Sequence, residues 1–104
     1  MATTLKLRTA TAGGVCTVRA LIRHPMETGG RKNAQTGQLI PAHHITELSC
    51  EHNGSTVLTC HWGTGIAKNP YLSFRFSGAK AGDILLVRWS DNLGASDSIR
   101  TVLA

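Results

Sequence analysis

Residues 44–62, H-I-T-E-L-S-C-E-H-N-G-S-T-V-L-T-C-H-W, decide how this chain folds. Leu48 and Cys50 precede Asn53-Gly54 on even positions, and Leu58, Cys60 and Trp62 follow it on even positions again. That is the period-two signature of two strands sharing one buried face. A regular two-residue loop at Asn53-Gly54 pairs odd with even positions and turns one apolar set toward solvent. Parity is kept by a three-residue loop, a type I turn over His52-Asn53 with Gly54 at positive φ as a G1 bulge. This register predicts Glu51 opposite Ser55, Cys50 opposite Thr56, Leu48 opposite Leu58 and His44 opposite Trp62.

The same alternation continues on both sides. Leu5 and Leu7 alternate with Lys6 and Arg8 up to Ala12-Gly13-Gly14, and Cys16, Val18, Ala20 and Ile22 alternate with mostly polar and basic residues up to Arg23. Pro25 ends that ladder. Leu72, Phe74 and Phe76 form one face of a further strand, Leu85, Val87 and Trp89 of the next, and Ile99 to Leu103 closes the chain. Gly78 to Asp83 and Asp91 to Gly94 supply the turns. Seven short strands without a helix predict an all-β fold, a two-sheet antiparallel β-sandwich of immunoglobulin-like type, with a small barrel as the alternative.

At 104 residues the chain makes one domain, and no apolar run is long enough to span a bilayer. The first residues, M-A-T-T-L-K-L-R-T, carry no apolar signal core, which by itself points to the cytoplasm. The net charge of +5 invites a nucleic-acid reading. The cations are scattered, however, and Trp62, Phe74, Phe76 and Trp89 lie on inward strand positions, so no stacking platform remains and no nucleic-acid partner is expected.

Three cysteines, Cys16, Cys50 and Cys60, show no C-x-x-C or zinc-finger spacing. The predicted register sets Cys50 and Cys60 about 13 Å apart along the strands, too far for a disulfide. They read as small core residues. His24, His43, His44, His52 and His61 could offer imidazoles to a metal, but His43 and His44 are adjacent and face opposite ways on a strand, while nothing after Trp62 is His, Cys or Met. No metal or cofactor is expected. No pair of carboxylates and no exposed Cys/His dyad stands out for catalysis. The segment 24–42 has no sustained period, and so long a connection in a small domain is the first place to look for a site, its alternative being a solvated omega loop plugged by Leu39-Ile40.

Five blocks carry a family resemblance: H-P-M-E-T-G-G-R-K from His24 to Lys32, I-P-A from Ile40, H-N-G-S-T-V-L from His52, W-G-T-G-I-A-K-N-P-Y from Trp62, and A-K-A-G-D followed by W-S-D-N-L-G between Ala79 and Gly94. In that order the chain resembles SoxZ, the small subunit of the SoxYZ sulfur-carrier complex of bacterial thiosulfate oxidation. The resemblance implies an immunoglobulin-like scaffold that forms a heterodimer with SoxY, whose flexible Gly-Gly-Cys-Gly-Gly arm holds the sulfur substrate while other Sox enzymes act on it. This chain ends R-T-V-L-A and matches the scaffold, not the carrier. The resemblance also implies a periplasmic protein, exported folded with its signal-bearing partner, and assigns no sulfur-carrying role to Cys50 or Cys60. Partner contacts are expected from the two most family-like loops, at His24, Met26, Glu27, Arg31, Lys32, Gly63, Lys68, Asn69 and Pro70. The competing expectation is a thiol-dependent sulfur-transfer enzyme that uses its own cysteine and histidine.

Overall fold

Seven alternating stretches become seven strands in the computed structural model, which describes residues 4–104. Residues 1–3, the start of the stretch read for a signal, lie outside the described residues. The strands are β1 (Leu5–Ala12), β2 (Val15–Ile22), β3 (Ile45–His52), β4 (Ser55–His61), β5 (Tyr71–Ser77), β6 (Ile84–Asp91) and β7 (Ser96–Val102). Among the described residues no helix is long and apolar enough to cross a membrane. One antiparallel sheet has the order β1-β2-β5 and the other β4-β3-β6-β7. This is the sandwich expected from the sequence, with the first, second and fifth strands facing the other four.

Each strand turns one side inward. Cys16, Val18, Ala20 and Ile22 of β2 are buried against Leu48 and Cys50 of β3 and Leu85, Val87 and Trp89 of β6. Leu58, Cys60, Trp62, Leu72, Phe74, Phe76 and Ile99 pack around that centre. The sheets are also joined at one margin, where Thr4 Oγ1 accepts the indole N–H of Trp89 at 3.1 Å and donates to Asp97 at 2.5 Å.

The central hairpin keeps its predicted parity by a different device. Asn53 and Gly54 have φ of 50° and 85°, the signs of a type I′ turn, and His52 faces Ser55 across a two-residue loop. The odd residue is absorbed one step later. Glu51 faces Thr56 but Cys50 faces Leu58, so Val57 bulges out of β4 and Leu48 comes to face Cys60. The predicted three-residue turn and its pairings, Glu51 with Ser55, Cys50 with Thr56 and Leu48 with Leu58, are therefore corrected. His44 does not face Trp62 either, since the Trp62 N–H reaches Thr46 O at 2.9 Å. A type I′ turn matches the twist of the strands it joins, and Asn-Gly is the pair that best tolerates two positive φ angles, so the mismatch is relieved where an exposed residue can be extruded. Leu48, Cys50, Leu58, Cys60 and Trp62 still share the inward face.

Three smaller expectations are corrected as well. Cys50 and Cys60 are two positions apart along the ladder instead of four, and both remain free thiols. The last strand begins at Ser96, three residues before the predicted Ile99, because hydrogen bonding to β6 continues through polar residues. Leu39 is 59% exposed and plugs nothing.

Because Val57 is the extra residue, its deletion should leave Leu58 opposite Cys50 and alter the unfolding free energy by no more than about 1 kcal/mol. Gly54→Val, forced to keep a positive φ, should cost about 2 kcal/mol. Urea unfolding of both variants checks this, and collapse of the deletion variant would favour the three-residue turn.

Candidate functional site

The inward phase of β2 runs past its end, and that of β6 reaches its last residue. On β2 it passes from Ile22 to His24 and Met26, which are 3% and 5% exposed, and on β6 from Trp89 to Asp91. Pro25 stops the ladder, and Met26, at a φ of 50°, turns the chain so that its N–H donates to His24 Nδ1 at 3.1 Å. The other ring nitrogen, His24 Nε2, lies 3.0 Å from Asp91 Oδ2. His43 Nε2 reaches the same oxygen at 2.8 Å from the returning end of the loop. A short antiparallel bridge positions it: Glu27 N–H donates to His43 O at 2.6 Å, and His43 N–H to Glu27 O at 2.9 Å. Asp91 Oδ1 accepts the N–H groups of Leu93 and Ala95 at 3.0 and 2.9 Å, which fixes the turn into β7.

Burial is the largest single influence on Asp91 and pushes its carboxyl pKa up. The hydrogen bonds from His24, Ala95, His43 and Leu93 together outweigh it and hold the group at about 2.

His24, His43 and Asp91 place one ligand-type atom each within 4.8 Å of one another, a grouping that sequence spacing did not reveal. The hydrogen-bond inventory decides how they are used. A neutral imidazole has one lone pair, and at His24 that lone pair receives the Met26 N–H. Nε2 therefore carries the proton and donates to Asp91. Holding a metal there would require the Met26 bond to break, so the cluster is a hydrogen-bonded knot and not an open ligand set.

Around this knot the two family-like loops meet. His24 N–H donates to Asn69 Oδ1 at 3.1 Å, Asn69 N–H to His24 O at 3.0 Å, and Ile22 N–H to Pro70 O at 3.0 Å. An open hollow is lined by Pro25, Met26, Glu27, Arg31 and Lys68. Arg31 grips Glu27 in a two-pronged ion pair, Nε to Oε1 at 2.9 Å and Nη2 to Oε2 at 2.6 Å. The hydrogen bond from Arg31 is the main cause that lowers the Glu27 pKa, and its mirror image raises that of Arg31. Beyond Arg31 the loop doubles back through the Lys32–Leu39 bridge and a turn around Asn33, whose Oδ1 accepts the N–H groups of Gln35 and Thr36. Gly29 sits against Ala42 so closely that a Cβ would lie 3.3 Å from the alanine methyl.

Of the nine residues singled out from sequence, His24, Met26 and Pro70 are buried, whereas Arg31, Lys32, Lys68 and Asn69 are exposed and Glu27 is half-buried. Gly63 is exposed and does not line the hollow. The residues that sequence reasoning missed are Asp91 and His43. Asp91 was legible: Leu85, Val87 and Trp89 set an odd inward phase, and Asp91 is its next member. His43 reaches the knot only through the folding of the long loop, which leaves no periodic trace.

These features define an immunoglobulin-type β-sandwich with its loops gathered around a buried, internally satisfied polar knot. Residues 5–102 match the family described as sulphur oxidation protein SoxZ. The chain belongs to that family and so to the machinery of sulfur oxidation. No curated protein matches the chain.

A carboxyl group held below its unfolded value stabilises the fold above that value and loses its contribution as the pH falls through the folded one. For Asp91, and for Asp83, also held at about 2, chiefly by the His52 side chain, the melting temperature should decline as the pH falls from about 4 to about 2. Asp91→Ala should cost about 3 kcal/mol at neutral pH, because two imidazoles and two backbone N–H groups lose their acceptor. A melting series against pH, with Asp91→Asn flattening the acid limb, checks the assignment.

Proposed function

We propose that this chain is a non-catalytic scaffold subunit that binds a SoxY-like sulfur-carrier protein as a heterodimer and helps to present the carrier's covalently bound sulfur to the other Sox enzymes. The observation that carries this reading is the state of the thiols. Cys16 and Cys50 are fully buried. Burial pushes the Cys50 thiol up to about 12, with Cys16 and Glu51 adding to the shift, and burial also raises that of half-buried Cys60. A sulfur carrier needs a thiolate that travels between enzymes on a flexible tether. These cysteines lie in strands of the sandwich, which favours the scaffold over a thiol-dependent transferase.

The partner surface proposed here is the pair of loops knotted at His24–Asn69, with Lys68, Arg31 and Lys32 as its exposed cations. Working beside a secreted carrier, the chain is proposed to act in the periplasm and to be exported in company with that carrier.

Turnover of thiosulfate by the assembled complex, followed by intact-mass measurement, should add sulfur to the carrier chain and none to this one. A variant with Cys16→Ala, Cys50→Ala and Cys60→Ala should lose several kcal/mol of unfolding free energy in sum, at about 1–2 kcal/mol for each small void, yet support turnover once folded. A thiosulfonate adduct on this chain, or a folded triple variant that assembles but does not support turnover, would overturn the scaffold reading in favour of the transferase.

Arg31→Ala with Lys32→Ala should weaken association with the carrier more at low than at high ionic strength. Equal co-purification at every salt concentration would remove the loop from the interface.

A further inference from the structure

The two sheets differ in charge on their outer sides. On β1, β2 and β5 cross-strand partners share a side, and the outward rows read Lys6–Leu21–Tyr71, Arg8–Arg19–Ser73 and Ala10–Thr17–Arg75. No aspartate or glutamate occurs in these three strands. Lys6, Arg8, Arg19 and Arg75 are all exposed, and the arginine–carboxylate ion pairs found among the described residues, Arg31–Glu27 and Arg88–Glu51, lie elsewhere. Asp97, on the neighbouring β7, is engaged by Thr4.

Arg8 and Arg19 stand directly opposite one another, a placement that destabilises a sheet when nothing neutralises it. At one end of the same face Leu21 and Tyr71 are 42% and 61% exposed and lie side by side. Tyrosine and arginine together are the residues most enriched where proteins meet.

This face is continuous with the loop surface. Lys6, Leu21, Arg23 and Asn69 line one hollow that leads from the sheet to the segment knotted to His24. With the uncharged row Ala12–Val15–Ser77 beyond them, three strands and four rows give a face of about 10 by 20 Å. Alone that is well short of the roughly 800 Å² per partner of a standard interface, and so is the loop hollow. A standard interface therefore needs at least both.

Resting on the scaffold reading above, we infer that the interface with the carrier subunit extends from the loops across the outer face of β1-β2-β5, and that the carrier's matching surface is acidic, with an apolar contact over Leu21 and Tyr71. The loops set position, and the arginine rows supply attraction and register. A single strand of nucleic acid would use the same cations but would need a row of aromatic platforms, whereas this face has Tyr71 alone.

The test measures the affinity of the full chain for the purified carrier subunit at roughly 50 mM and roughly 0.5 M salt. Arg8→Glu with Arg19→Glu should weaken binding at least about tenfold at the lower salt and far less at the higher, while Tyr71→Ala weakens it at both. Arg8→Gln with Arg19→Gln gives the same direction should the double reversal fold poorly. Wild-type affinity in the arginine variants at both salts, with the Arg31/Lys32 variant still weakened, overturns this extension and leaves the scaffold reading standing. No binding by the wild type overturns both. A parallel titration with a single-stranded oligonucleotide, retained by the wild type and lost by the arginine variants while carrier affinity is unchanged, assigns the face to nucleic acid and overturns the inference as well.

Discussion

One carboxylate holds the loop end of this molecule together. Asp91 closes β6, accepts both imidazoles on one oxygen and two backbone N–H groups on the other, and thereby ties the end of β2, the return of the long loop and the turn into β7 to one point. A buried charge survives only when its hydrogen bonds replace the water it has lost. Here both oxygens are supplied, and the shape of the 24–42 loop follows from the demand: Met26 adopts its unusual φ so that His24 has a donor at Nδ1, and Glu27 pairs with His43 so that the second imidazole arrives in reach.

Alternation is the other constraint, and it proved sturdier than turn geometry. The even positions around Asn53-Gly54 had to face inward together, and they do, although the chain met the requirement with a bulge at Val57 instead of a longer loop. A second irregularity, between Ile45 and Glu47 opposite β6, shows the same logic at the other end of β3. Parity is enforced by the apolar face along the entire strand, and a turn can be rebuilt at the cost of one extruded residue. The sequence therefore revealed which residues are inside and left open how the chain turns between them.

The same reasoning marks where the site was legible. Seven strands and the inward sets of β2, β5 and β6 could all be read from residue order. Asp91 and His24 could have been read as buried, since each continues an inward series beyond a strand that was judged to have ended. The meeting of His24 with His43 depends on the path of nineteen residues with no period of their own, and the hydrogen bonds of Asn69 to His24 on the connection between β4 and β5; such paths are set by tertiary contacts. The acid-free side of the three-stranded sheet needed only the pairing of strands to become visible, because each strand alone carries one or two cations and looks ordinary.

The unpaired thiols bear on the timing of the protein's life. Cys16 and Cys50 are completely enclosed once the sheets close, so in the native state neither is open to an oxidant, a stray disulfide partner or a sulfur donor. Before closure all three sulfurs are open to thiol–disulfide exchange. In a sandwich with free sulfur at its centre, closing the two sheets is therefore also what withdraws that sulfur from chemistry, so folding does for these thiols what a protecting group does in synthesis.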